Sequence, residues 1–121
     1  MTTILVVDDD AGVRFALTEV LRDRGHRVIA ASSGAEALGL LDGVDVVVTD
    51  LVMPGMDGLE LVSQIAARAP ALPVLLVTAH GSDQLVRIAQ GRGACGCLRK
   101  PFDIDEIVNA IEQARSRSSG G

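Results

Sequence analysis

Val46-Val47-Val48-Thr49-Asp50-Leu51-Val52-Met53-Pro54-Gly55-Met56-Asp57-Gly58 is the stretch whose reading decides the fold. An apolar, β-branched run ends on one carboxylate, and a turn with Pro54 and Gly55 follows at once. A run this short and this β-branched reads as a buried strand. Asp50 therefore stands where the strand stops, at the mouth of the sheet. In open α/β sheets, ligands bind outside the carboxyl ends of the strands.

Working outward, the strand spans Val44 to Thr49 and delivers Asp50. Ile4–Val7, His26–Ala31 and Val74–Val77 are runs of the same kind, and Cys95–Leu98 is a weaker one. Helical spacing falls between them. After the cap Asp10, Val13, Ala16, Leu17, Val20 and Leu21 share one face, and Gly25 stops that helix. Ser33 with Glu36, Asp57 with Glu60, and Asp103 with Glu106 are capping boxes that open three more helices. The first of these turns Ala37, Leu38 and Leu41 inward and ends at Gly43. The second buries Leu59, Val62, Ile65 and Ala66, and the last carries Ile104, Ile107, Val108 and Ile111 on one stripe. A short helix with Leu85, Ile88 and Ala89 inward precedes a glycine-rich exit. Strands apolar on both faces need helices on both sides of a parallel sheet. The expectation is an α/β fold: a doubly wound parallel sheet of five strands alternating with five helices.

The 121 residues fit one domain, and a hydrophobic share of 48% excludes wholesale disorder. Residues 1–114 read as the domain, and Arg115–Gly121, polar and small, as a linker or disordered tail. No apolar run approaches the length of a membrane span, and no signal-like start is visible, so a cytoplasmic location is expected. A net charge of −5 argues against nucleic-acid binding by this segment. Phe15 and Phe102, the only aromatics, read as core, and their scarcity leaves no stacking platform for a flavin or a single strand. Cys95 and Cys97, at i and i+2, point to one face of a strand and read as small core hydrophobes in a reducing compartment. A zinc site would need further ligands, and His26 and His80 are far off in sequence.

The carboxyl ends of parallel strands collect at one edge. There the first strand brings Asp8 and Asp9, the third Asp50, the fourth Thr78 and the fifth Lys100. Converging carboxylates repel, and a hard dication relieves that. Oxygen-only ligands favour Mg²⁺, with the Val52 carbonyl as a further oxygen. Asp50 can then act as a nucleophile on phosphorus, Lys100 as a point charge on one phosphoryl oxygen, and the Thr78 hydroxyl with a backbone N–H on another. Lys100 is the only lysine beside ten arginines. Pro101 after it makes a cis Lys100–Pro101 bond more accessible than at other residues, and a cis bond would aim the side chain at the pocket.

Ile4-Leu5-Val6-Val7-Asp8-Asp9, Thr49-Asp50-Leu51, Met53-Pro54-Gly55-Met56-Asp57-Gly58, Val77-Thr78-Ala79 and Lys100-Pro101-Phe102 follow one another along nearly the whole chain. Together they resemble the receiver domain of two-component response regulators, most of all the nitrogen-regulation (NtrC-type) group. The resemblance implies a flavodoxin-like sheet of order 2-1-3-4-5. It implies that Asp50 accepts phosphate from a sensor histidine kinase, and that Asp8 and Asp9 hold Mg²⁺ with Asp50. Thr78, Ala79 and Lys100 would contact the phosphoryl group, and the domain itself would hydrolyse the acyl-phosphate slowly, without being an enzyme on other substrates. It further implies a switched output, transcriptional in kind and carried outside this chain, and a homodimer face of the fourth helix, fifth strand and fifth helix. The family pattern has an aromatic switch residue three positions before the lysine, where this chain has Cys97. A thiol does not replace a ring as a packing lever. Either the loop after the fourth strand carries the change alone, or the output face works differently.

Three other functions compete. A Mg²⁺-dependent aspartyl phosphotransferase of the haloacid-dehalogenase type would need a second aspartate at Val52. A flavodoxin-like electron carrier lacks its aromatic flanks and phosphate loop. A phosphate-independent receiver serving as a binding surface would not need the acidic cluster.

Overall fold

The computed structural model describes residues 2–79 and 83–119. Its elements are β1 (Thr3–Val7), α1 (Ala11–Asp23), β2 (Arg27–Ala31), α2 (Gly34–Leu38), β3 (Val46–Asp50), α3 (Gly58–Arg68), β4 (Val74–Thr78), α4 (Asp83–Arg92), β5 (Gly96–Arg99) and α5 (Ile104–Ser119). All strand pairs are parallel, and the order is β2-β1-β3-β4-β5, as the resemblance implied. Val7 lies opposite Thr49, Asp50 opposite Val77 and Thr78 opposite Arg99. That register brings the carboxyl ends of β1, β3, β4 and β5 to one edge.

Alternation along the strands splits the core into two layers. Leu5, Val7, Val47 and Leu76 face α2, α3 and α4, through Ala37, Leu61, Val62, Ile65 and Ala89. Ile4, Val6, Val48 and Val77 face α1 and α5, through Leu17, Leu21, Ile107 and Ile111. Fully burying one such side chain is worth about 1.5–3 kcal/mol, so the central strands anchor the sheet. The caps form as their residue types require. Asp10 accepts from the Val13 amide at 3.1 Å, Ser33 from Glu36 at 3.1 Å, Asp57 from Glu60 at 2.9 Å and Asp103 from Glu106 at 2.8 Å. Among the described residues no helix is long and apolar enough to cross a membrane.

Several expectations are corrected. The second helix stops at Leu38 with Gly39 as its cap, not at Gly43, although Leu40 and Leu41 still pack on the core. The third strand begins at Val46, because Asp45 is tied to Thr3 from both its amide and its carboxylate. Phe15 is not core: it is 68% exposed, and Ala16 beside it is exposed as well. Ile88 is 38% exposed, whereas Ala89, also expected inward, is fully buried. The two thiols do not share a face. Cys95 precedes β5 and packs with the α1/α5 layer, whereas Cys97, on the strand, packs with the other. The last helix, α5, extends to Ser119. Between Ala114 and Ser119 the chain has no glycine or proline to stop a helix.

Candidate functional site

β1 ends at Val7 and delivers Asp8, which is 1% exposed, followed by an exposed Asp9. One Asp8 oxygen accepts from the Asp10 amide at 2.9 Å. β3 ends on Asp50, whose Oδ1 accepts from the Val52 amide at 3.1 Å. Ligand atoms of Asp8, Asp9 and Asp50 all lie within 4.8 Å of one another. β5 leads to Lys100, whose amide donates to the Thr78 carbonyl at 2.9 Å and whose bond to Pro101 is cis. The Lys100 ammonium spans the cluster, 3.4 Å from Asp8 Oδ2 and 3.3 Å from Asp50 Oδ2.

The electrostatics are unbalanced. Burial lifts the Asp8 carboxyl above its usual range, with Asp50 adding to the rise, against the Asp10 amide and Lys100. Burial pulls the Lys100 ammonium down, but Asp50 and then Asp8 outweigh it and hold it above the usual lysine value. One ammonium faces three carboxylates, so surplus negative charge remains. An all-oxygen donor set with surplus negative charge fits a hard dication better than a soft one.

The structure thus brings Asp8, Asp9, Asp50 and Lys100 together. Val52 reaches the site through its amide, with its side chain 53% exposed. Thr78 is fully buried at the end of β4, tied to Lys100 by its carbonyl, and Ala79 after it is exposed. His80 lies outside the described residues. Cys97 sits away from the carboxylates, opposite Leu76, and burial raises its thiol, with Arg99 opposing. Arg14 was not anticipated from the sequence: its guanidinium donates to the Asp8 carbonyl at 2.8 Å and braces the turn that presents the acidic pair. The signal was available, because long side chains on a helix lean toward its N-terminus. Arg14, one turn into α1, leans back toward the end of β1.

The model of the response regulator receiver domain matches residues 4–112. The chain is a member of that family. This receiver is 44% identical over 115 residues to the DNA-binding transcriptional regulator NtrC of Escherichia coli, covering 93% of this chain and 24% of that protein. It is 35% identical to sporulation initiation phosphotransferase F of Bacillus subtilis, covering 91% and 90% of the two chains. A response regulator receiver domain from Clostridium thermocellum superposes with a TM-score of 0.93 at 31% identity, covering 98% of each chain. The receiver therefore spans about a quarter of the length of the NtrC proteins it matches.

Proposed function

We propose that Asp50 is the phosphoacceptor of a two-component system, taking a phosphoryl group from a histidine of a sensor kinase in a Mg²⁺-dependent reaction. The observation that carries this reading is the Lys100 ammonium bridging Asp8 and Asp50 at the sheet edge. An Asp50 oxygen attacks phosphorus, the bond to the imidazole nitrogen breaks, and the acyl-phosphate forms. Lys100, already 3.3 Å from Asp50, is in reach of one phosphoryl oxygen, and Thr78 and Ala79 at the end of β4 supply further donors. Asp8, Asp9, Asp50 and the Val52 carbonyl would hold Mg²⁺, which neutralises charge on the phosphoryl oxygens. The Val52 amide keeps the acceptor carboxylate oriented.

The acyl-phosphate is hydrolysed slowly by the domain and switches a transcriptional output, in keeping with the NtrC relatives. Buried Thr78 and the α4 region carry that switch, since Cys97 stands where a ring would move. An apolar groove of about 360 Å³ between α1 and α5 reaches Lys100 and is lined by Val13, Leu17, Val20, Phe102 and Ile104. It supports a protein donor rather than a free metabolite. Exposed Ile88 on α4 supports a homodimer through α4, β5 and α5. Two cysteines outside any disulfide fit a cytoplasmic setting. We place the end of the packed domain near Ala114, the last buried residue among those described, with the rest of α5 leading into a linker.

Incubating the protein with acetyl phosphate and MgCl₂ tests the reading. The parent should take up one phosphoryl group, and Asp50→Asn none. Labelling of the variant at the parent's rate would reject Asp50 as acceptor. No labelling of the parent would favour the phosphate-independent binding module.

A further inference from the structure

The loop that starts at Asp50 is held by two positions where a side chain is missing. A Cβ on Gly58, the first residue of α3, would collide with the Asp50 carbonyl oxygen and lie 2.6 Å from Leu51 Cα. That close approach lets the Gly58 amide donate to the Leu51 carbonyl at 2.8 Å and close the loop. The second position is in a different element. Gly34, the buried first residue of α2, faces Met56, which directly precedes the α3 cap Asp57 at the far end of the loop. A Cβ there would sit 2.8 Å from Met56 Sδ, 3.1 Å from its Cγ and 3.2 Å from its Cβ. Comfortable carbon contacts are about 3.5–4.0 Å. Rotation about the Met56 Cα–Cβ bond would carry Sδ and Cγ aside but leave its Cβ at 3.2 Å, so the backbone at Met56 must still give by a few tenths of an ångström.

We propose that Gly34 is a positioning residue for phosphoryl acceptance: the notch it leaves in α2 seats Met56, and Met56 fixes the loop whose Val52 amide holds the Asp50 carboxylate. The proposal rests on Asp50 being the acceptor. Gly34 is not among the glycines with positive φ, so alanine there meets no backbone strain and would ordinarily strengthen the helix. A loss on Gly34→Ala is therefore the signature of the Met56 contact, not of helix propensity. Misplacing reacting groups by about 1 Å can cost about 100-fold in rate. A shift of a few tenths of an ångström should cost about five- to tenfold.

The experiment measures initial labelling rates with acetyl phosphate at saturating MgCl₂ for the parent, Gly34→Ala, Met56→Ala and the double variant. Gly39→Ala, at the end of α2, where φ is −83° and a Cβ would lie 3.5 Å from the Glu36 carbonyl, is the control. We expect Gly34→Ala to lower the maximal rate about five- to tenfold with little change in the half-saturating donor concentration. In the Met56→Ala background the same change should have no effect, and Gly39→Ala should match the parent. A parent-like rate for Gly34→Ala, or the same loss in both backgrounds, overturns the proposal. If Gly34→Ala fails to fold, a double variant that labels like Met56→Ala supports it, and a double variant that also fails overturns it. A parent that takes no label removes the acceptor reading itself, a result separate from any of these.

Discussion

Replacing Asp8 by asparagine should stabilise the metal-free protein, although it removes a contact of the Lys100 ammonium. That contact, at 3.4 Å, is worth about 5 kcal/mol of gross attraction at an effective dielectric of about 20. An Asp50 oxygen within 4.8 Å of Asp8 supplies at least about 3.5 kcal/mol of gross repulsion on the same scale, and this vanishes with the charge. The Asp8 side chain is only 2% exposed, and desolvating its carboxylate costs several kcal/mol more. The balance favours a neutral side chain, the same balance that raises the Asp8 carboxyl above its usual range. An amide oxygen can keep the 2.9 Å bond from the Asp10 amide. The net gain should be on the order of 1 kcal/mol, well below any single contribution, because the opposing ones nearly cancel. With an unfolding entropy of about 0.25 kcal/mol/K for 121 residues, Tm should rise by about 4 °C.

The pH dependence has a definite sign. The folded parent binds the Asp8 proton more tightly than the unfolded chain, so its stability falls as pH rises through the interval just above the ordinary aspartate value. Asp8→Asn should lack that decline. Magnesium should reverse the order of the two proteins. At a metal concentration of 100 Kd the parent gains about 2.7 kcal/mol, and the variant, with an amide for a carboxylate, gains less. Urea titrations and thermal melts at neutral pH, in EDTA and in MgCl₂, read both effects. A variant less stable than the parent in EDTA refutes the charge balance. An equal gain from magnesium in both proteins refutes Asp8 as a ligand.

Lys100→Arg should keep the fold and accept label, yet lose the response to it, because a flat guanidinium cannot reproduce a point charge bridging contacts of 3.4 and 3.3 Å. Amide exchange along β4 and β5 before and after labelling checks this, and a parent-like response counts against it. Thr18→Val should stabilise the protein by about 1 kcal/mol, since the buried Thr18 hydroxyl has no hydrogen-bond partner among the described residues. A lower urea midpoint for that variant would mean the hydroxyl is satisfied after all.

Local patterns made much of this protein legible before any coordinates. β-branched runs, capping residues and helical spacing act over a few residues, so the alternation of strands and helices was readable. Once the strands are parallel, what stands at their carboxyl ends is also a local fact, and Asp8, Asp9, Asp50 and Lys100 followed from it. Tertiary structure alone decided which faces are covered and how distant segments meet. The helical stripe through Val13 and Leu17 did not reveal that Phe15 lies 68% exposed beside it. The i, i+2 spacing of the cysteines misled because Cys95 lies outside the strand that Cys97 belongs to. The Arg14 bond to the Asp8 carbonyl and the Gly34 notch under Met56 join segments that no local pattern links. Periodicity sets where a side chain can point, but only close packing between remote elements decides what it meets.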